Sequence, residues 1–113
     1  MKDYLGKIVE VIIDRPLGTK HPKNDIVYEL NYGFIPNTKS GDGEEIDVYV
    51  LGINEPILKT KGKVIAVINR LNDVEDKLVV APIECKQKFT KEQIKELTYF
   101  QEKYFKIEIL TLD

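Results

Sequence analysis

The sequence predicts a mainly β fold, a small five-stranded β-barrel with one C-terminal α-helix. Three observations lead there: β-branched apolar runs of strand length, turn residues that bound them, and a single well-marked helix start. The first four runs are Ile8 to Ile13, Ile46 to Leu51, Val64 to Ile68, and Leu78 to Ala81, which ends at Pro82. Gly, Pro, Asn or charged clusters close each of them off, as turns require. Val64-Ile65-Ala66-Val67-Ile68 is apolar without alternation, so both of its faces need cover, which a closed barrel or a covered sheet supplies. Thr90-Lys91-Glu92-Gln93 is a capping box: the hydroxyl can accept from a first-turn N–H while Gln93 reaches back. The helix it opens is expected to run to about Tyr104. Ile94, Leu97, Phe100, Gln101 and Tyr104 share a stripe that would lay two aromatics on the barrel. Ile107 to Leu112 reads as a closing strand. With no repeat, low-complexity tract or linker, this order describes an OB-like barrel with an appended helix.

A chain of 113 residues fits one domain, residues 1–113. With 42% hydrophobic and 32% charged residues it is neither disordered nor fibrous. Seventeen Lys+Arg against nineteen Asp+Glu leave a charge of -2, so no excess positive field awaits a nucleic-acid backbone, and nucleic acid is not an expected partner. The single Cys85 cannot form an internal disulfide, and one Cys with one His cannot build a zinc site, which suits a reducing cytoplasm. Met1-Lys2-Asp3-Tyr4 begins no signal-peptide core and no apolar run reaches membrane-spanning length, so neither export nor insertion is expected.

Two segments carry more charge than packing needs. Asp14-Arg15-Pro16-Leu17-Gly18-Thr19-Lys20-His21-Pro22-Lys23 displays cations on a backbone pinned by two prolines, which suits an anion, although a solvated turn is the commoner fate of such a loop. Ser40-Gly41-Asp42-Gly43-Glu44-Glu45-Ile46-Asp47 is the more informative one. Asp42 and Glu44 share a direction by the period of two, and a bulge at Glu45 would bring Asp47 alongside, so that the three share one cation. An equally simple alternative makes Gly41-Asp42-Gly43 a hairpin turn and pairs Asp47 with a lysine at the rim. Either way a carboxylate beside a core needs a positive partner. All-oxygen ligands point to a hard ion, Mg²⁺ or Mn²⁺, and the spacing does not fit an EF-hand. A further acidic group, Asn72-Asp73-Val74-Glu75-Asp76-Lys77, lies between two strands, as a plain hairpin loop or as the second half of a multi-metal rim.

Tyr28-Glu29-Leu30-Asn31-Tyr32-Gly33-Phe34-Ile35-Pro36, followed by Asp42-Gly43-Glu44-Glu45-Ile46-Asp47-Val48, resembles the linked core motifs of the family I soluble inorganic pyrophosphatases. Glu75-Asp76-Lys77-Leu78-Val79-Val80-Ala81-Pro82 resembles a later motif, and Phe100-Gln101-Glu102-Lys103-Tyr104 the helix end before a substrate-binding Tyr-Lys pair. The resemblance covers most of the chain from Val11 onward. It implies hydrolysis of pyrophosphate to two phosphates with Mg²⁺, Mn²⁺ being a substitute, and it leaves room for a homo-oligomer. It makes Asp42 and Asp47 metal ligands, joined by Asp73 and by Glu75 or Asp76, of which Asp76 is taken here. Glu44 then stands where an aspartate helps generate the attacking hydroxide. Tyr32 matches a tyrosine at the site's edge, Lys77 a lysine beside the metals, and Tyr104 the substrate tyrosine, with Phe105 in place of the lysine that should follow. The family's cationic hairpin is replaced by the short Lys20-His21-Pro22-Lys23 loop, so Arg15, Lys20 or Lys23 would supply its charges.

Phosphoanhydride hydrolysis of this kind needs cations around the substrate and no covalent nucleophile. Arg15, Lys20, Lys77 and Tyr104 would grip phosphate oxygens while Glu44 takes the proton of the water. Three rivals stand beside it: a hydrolase of nucleotides, a non-catalytic OB-like binding module, and a relative that keeps metal but not substrate.

Overall fold

The computed structural model describes residues 1–40, 43–73 and 75–112. Six strands form one sheet: β1 Ile8–Arg15, β2 Asn31–Ile35, β3 Ile46–Val50, β4 Lys59–Arg70, β5 Lys77–Pro82 and β6 Ile107–Thr111, with helix α1 Lys91–Glu102 before the last. The order β1-β2-β3-β5-β4 closes on itself because β1 also pairs with β4. The ring therefore has five strands, as expected, but not the five expected. The run Ile107 to Leu112, read as the closing strand, forms β6 and lies outside the ring. The reason is the length of β4. Its first half, Lys59 to Lys63, pairs with Ile12 to Ile8, and its second half, Ala66 to Arg70, pairs with Thr111 to Ile107, so β1 and β6 share one edge of a single long strand. The strand that replaces it in the ring is β2.

Two cores lie on the two faces of the sheet. Val11, Ile13, Ile46, Val48, Val50, Val64, Val67, Leu78 and Val80 fill the barrel. Tyr28, Tyr32, Tyr49, Leu51, Ala66, Ile68 and Val79 point outward to meet Ile94 and Phe100 of α1. Alternation along β3 and β5 sorts the two sets. Alternation lets the unbroken apolar run in β4 serve both, and a register shift between Val64 and Ala66 places Val64 and Val67 on the same face.

The capping box forms as read: the Thr90 hydroxyl accepts from Gln93 N–H at 3.1 Å, and Gln93 Oε1 accepts from Thr90 N–H at 2.8 Å. The helix is shorter than expected and rotated, burying Ile94, Thr98, Phe100, Gln101 and Glu102. Leu97 and Tyr104 are exposed, so Phe100 alone of the two aromatics packs on the barrel. Among the described residues no helix is long and apolar enough to cross a membrane.

Gly33 marks the tightest strand contact, since a Cβ there would lie 1.9 Å from the Ile12 carbonyl oxygen. Gly33→Ala is accordingly expected to cost about 3 kcal/mol by overpacking. Chemical denaturation checks this, and a near-neutral substitution would contradict the β1–β2 register.

Candidate active site

One β irregularity and one parallel pairing build the site. Between Ile13 and Arg15 the β1–β2 register slips by a residue, making Asp14 the extra residue of a bulge beside Arg15. The parallel pairing of Val48 with Leu78 sets the preceding residues, Asp47 and Lys77, side by side at the start of β3 and β5. Lys77 Nζ donates to Asp47 Oδ2 at 2.7 Å and also pairs with Glu75, while the Tyr32 hydroxyl donates to the same Asp47 oxygen at 3.0 Å. Asp47 thus has the lysine partner that one reading of its loop required.

Charge in this cluster is unevenly held. Burial acts to raise the Asp47 pKa, but hydrogen bonds with Glu75, Lys77 and Tyr32, together with the positive charge of Lys77, outweigh it and hold the carboxyl below its ordinary value. Glu75 is raised, first by burial and then by its contact with Asp47. Burial, with the Asp47 charge behind it, pushes the Tyr32 hydroxyl well up, so it stays a donor.

Asp47 and Glu75 stand where two depressions meet. A groove of about 270 Å³ is lined by Asp14, Phe34, Glu44, Glu45, Asp47 and Glu75. A cleft of about 920 Å³ opens on the other side, with Arg15, Arg70, Lys77 and Tyr104 on its walls. The groove is lined by acid, whereas the cleft carries both signs, Arg15, Arg70, Lys77 and Lys103 beside Asp25, Glu29, Asp47 and Glu75.

Of the residues read from sequence, Arg15, Tyr32, Asp47, Lys77 and Tyr104 come together at the cleft, and Glu44 lines the groove. Lys20 is not on the cleft wall; it is 65% exposed and ion-paired with Asp25 at 3.2 Å. Of the two acidic residues before Lys77, it is Glu75 that meets Asp47. Asp76 accepts from the backbone N–H of Arg70 at 3.1 Å and so ties the hairpin end, and Asp73 lies 3.5 Å from Arg70 Nη1. Asp42 lies outside the described residues. Among the described residues, no three carboxylate, imidazole or thiol groups are gathered closely enough to hold one metal ion.

Sequence reading missed a buried polar chain behind the cleft. Arg15 Nη1 donates to the Tyr28 hydroxyl (3.1 Å), which donates to Gln101 Oε1 (2.8 Å); Gln101 Nε2 donates to the Tyr49 hydroxyl (2.7 Å), which donates to Glu102 Oε2 (2.6 Å). Arg70 completes the chain from the far side, giving Nε to Glu102 Oε1 at 3.0 Å and Nη2 to Oε2 at 2.6 Å. Burial works against the Arg70 charge, but the Glu102 carboxylate more than compensates and raises its pKa. One signal was available: Glu102 falls at i+8 from Ile94 and i+4 from Thr98, a charge on the packed stripe of a helix.

Carboxylates carried by separate strands thus meet Arg15, Arg70 and Lys77 on a small closed barrel. A family model for inorganic pyrophosphatase matches residues 10–109. The chain belongs to the inorganic pyrophosphatase family. It is 30% identical over 91 residues to an inorganic pyrophosphatase of Rickettsia felis, covering 77% of this chain and 49% of that one. With that of Neisseria meningitidis serogroup B it shares 31% over 104 residues, 73% of this chain and 58% of the other. The chain thus spans about half the length of the curated relatives it matches. In fold it is similar to the inorganic pyrophosphatase structure from Ehrlichia chaffeensis, with a TM-score of 0.72 at 21% identity over 96% of this chain and 88% of that one. It is likewise similar to the one from Neisseria gonorrhoeae, with a TM-score of 0.69 at 24% identity over 88% and 74%.

Two outcomes follow. Glu102→Ala takes from the buried Arg70 its two close hydrogen bonds, leaving only the looser pairs with Asp73 and Glu75, and is expected to lower stability by about 3–5 kcal/mol, while Glu102→Leu with Arg70→Met recovers most of it; urea denaturation of the three chains checks this. The lowered Asp47 pKa means that its pairing contributes stability in full above the ordinary value of 3.8 and loses it as pH falls through the folded value. Asp47→Asn is therefore expected to flatten the decline of Tm between roughly pH 5 and pH 2, and an unchanged acid limb would count against the pairing.

Proposed function

We propose that this chain hydrolyses inorganic pyrophosphate to two phosphates, using Mg²⁺ or, in its place, Mn²⁺. The observation that supports this most directly is the junction at Asp47 and Glu75, where an acidic groove meets a cleft that carries Arg15, Arg70 and Lys77. A metal-bridged phosphoanhydride needs that combination, oxygen ligands on one side and phosphate-binding cations on the other. The donor set fits a hard cation, for Asp14, Glu44, Glu45, Asp47 and Glu75 offer oxygen alone.

Asp42, Asp47 and Glu75 would hold the ion, with Asp73 and Asp76 on the adjoining hairpin. When bound, a divalent cation lowers the pKa of a coordinated water and neutralises phosphate oxygens. Glu44 orients the attacking water and takes its proton. Tyr32 fixes the Asp47 carboxylate by its hydrogen bond, and Lys77 pairs with both Asp47 and Glu75. Arg15 and Tyr104, on the cleft walls, hold the phosphate that leaves. Lys20, held by Asp25, contributes field and no contact. A cytoplasmic location suits the unpaired Cys85. The carboxylates at the centre of the cleft weigh against a nucleic-acid backbone as the ligand.

Phosphate release from pyrophosphate, measured with Mg²⁺ and after chelation, tests the reading. Turnover should vanish with chelator, and Glu44→Gln should lower kcat by about 10²–10⁴-fold with KM little changed. Release from nucleotides but not from pyrophosphate would move the substrate to that class, and turnover that survives Asp47→Asn would overturn the metal-hydrolase account.

A further inference from the structure

Arg70 ends β4 on the wall of the cleft, with a side chain only 5% exposed. Two constraints fix its guanidinium. Glu102, whose side chain is 1% exposed, accepts from Nε and Nη2, which sets the plane of the group. The Phe105 ring covers one face with its centroid 3.7 Å from Cζ. Nη1 is left on the side of Asp73 and Glu75, whose oxygens stand 3.5 and 4.0 Å away. These are ion pairs at the outer limit of contact, in contrast to the 2.6 Å bond on the Glu102 side.

Pairing with Glu102 through Nε and Nη2 turns Nη1 away from that carboxylate, in a residue that lines the cleft. A guanidinium carries five donors in a rigid fork, and two of them are committed to Glu102. The rest sit in a largely buried wall, where charge-assisted bonds to an oxyanion are strongest. The positions of Asp73 and Glu75 keep the charge balanced before a ligand arrives.

We propose that Arg70 is a substrate-binding residue whose Nη1, held in place by Glu102 and Phe105, donates to a phosphate oxygen of an anion seated in the cleft shared with Arg15 and Lys77. The inference rests on the phosphoanhydride reading of that cleft. It adds a binding residue supplied by the β4–β5 hairpin and positioned by the helix end.

Inorganic phosphate, titrated calorimetrically in the presence of Mg²⁺, is the probe, because its binding needs no turnover. Arg70→Lys keeps the charge and loses the fork; Arg70→Met with Glu102→Gln removes both charges and leaves neither ion alone. Both are expected to weaken phosphate binding, and to raise KM for pyrophosphate, by about tenfold or more. Phosphate affinity within about twofold of the parent chain, in variants with the parent Tm, would overturn the proposal, as would a parent chain that binds no phosphate. If the variants fail to fold, nitrogen-15 spectra of the unmodified chain decide: added phosphate must shift the Arg70 Nη signals, and silence there overturns the assignment. Weakened phosphate binding in a protein that never turns over pyrophosphate would uphold Arg70 as an anion site and reject the pyrophosphatase reading instead.

Discussion

The Glu102 carboxylate sits almost without solvent at the end of α1, and the arrangement around it follows from the need to stabilise that charge. It accepts two bonds from Arg70 and one from Tyr49, and Tyr49 in turn orders Gln101 and Tyr28. Among the described residues no buried side-chain polar atom is left without a partner. Charged hydrogen bonds contribute about 1.5–3 kcal/mol each, and burying two ions costs several kcal/mol apiece, so the network is close to neutral in stability. Its effect is on position. It fastens the helix end to β3 and β4 and sets two arginines, Arg15 and Arg70, on the wall of one cleft.

The cleft itself is an electrostatic boundary. Lys77 is nearly buried between Asp47 and Glu75, and its single charge cannot balance two carboxylates. The resulting asymmetry, one pKa lowered and its neighbour's raised, leaves a site short of positive charge at the place where Tyr32 and the β1 bulge direct further polar groups. Strand register produces this. Asp47 precedes the Val48–Leu78 pair on one strand as Lys77 does on the other, and neither could reach its partner if β3 and β5 slipped by one residue.

Most of the scaffold was legible because its signals are local. The β-branched runs that became β1, β3 and β5 carry their own propensity, and the Thr90 to Gln93 box fixes a helix start within four residues. Two elements were hidden. Asn31-Tyr32-Gly33-Phe34-Ile35 contains a turn residue and a glycine, and the glycine is required by the close approach of Ile12, a fact of tertiary structure. The first half of β4, Lys59-Thr60-Lys61-Gly62-Lys63, reads as a polar loop, and only its pairing with β1 makes it a strand. In the proposed site, Tyr32, Asp47 and Lys77 were legible as candidates because they lie close in sequence to recognisable runs, and the fold brings them into contact. Arg70 and Glu102 were not, since a charge at a hairpin end and a charge on a helix each look like surface until the fold joins them. Lys20 pairs with Asp25 at the surface, a contact that its sequence neighbourhood did not single out.

The long fourth strand has a bearing on how the chain reaches this state. It borders β5 along one edge, and its other edge receives both β1 and β6, with Ile8 set against Lys63 and Thr111 against Ala66. The β4–β5 hairpin closes only a short loop, whereas bringing Ile8 to Lys63 confines a much longer stretch, at an entropic cost that grows with the logarithm of its length. On that ground the hairpin is expected to form ahead of the outlying strands, with closure of the ring by β1 as the slower event.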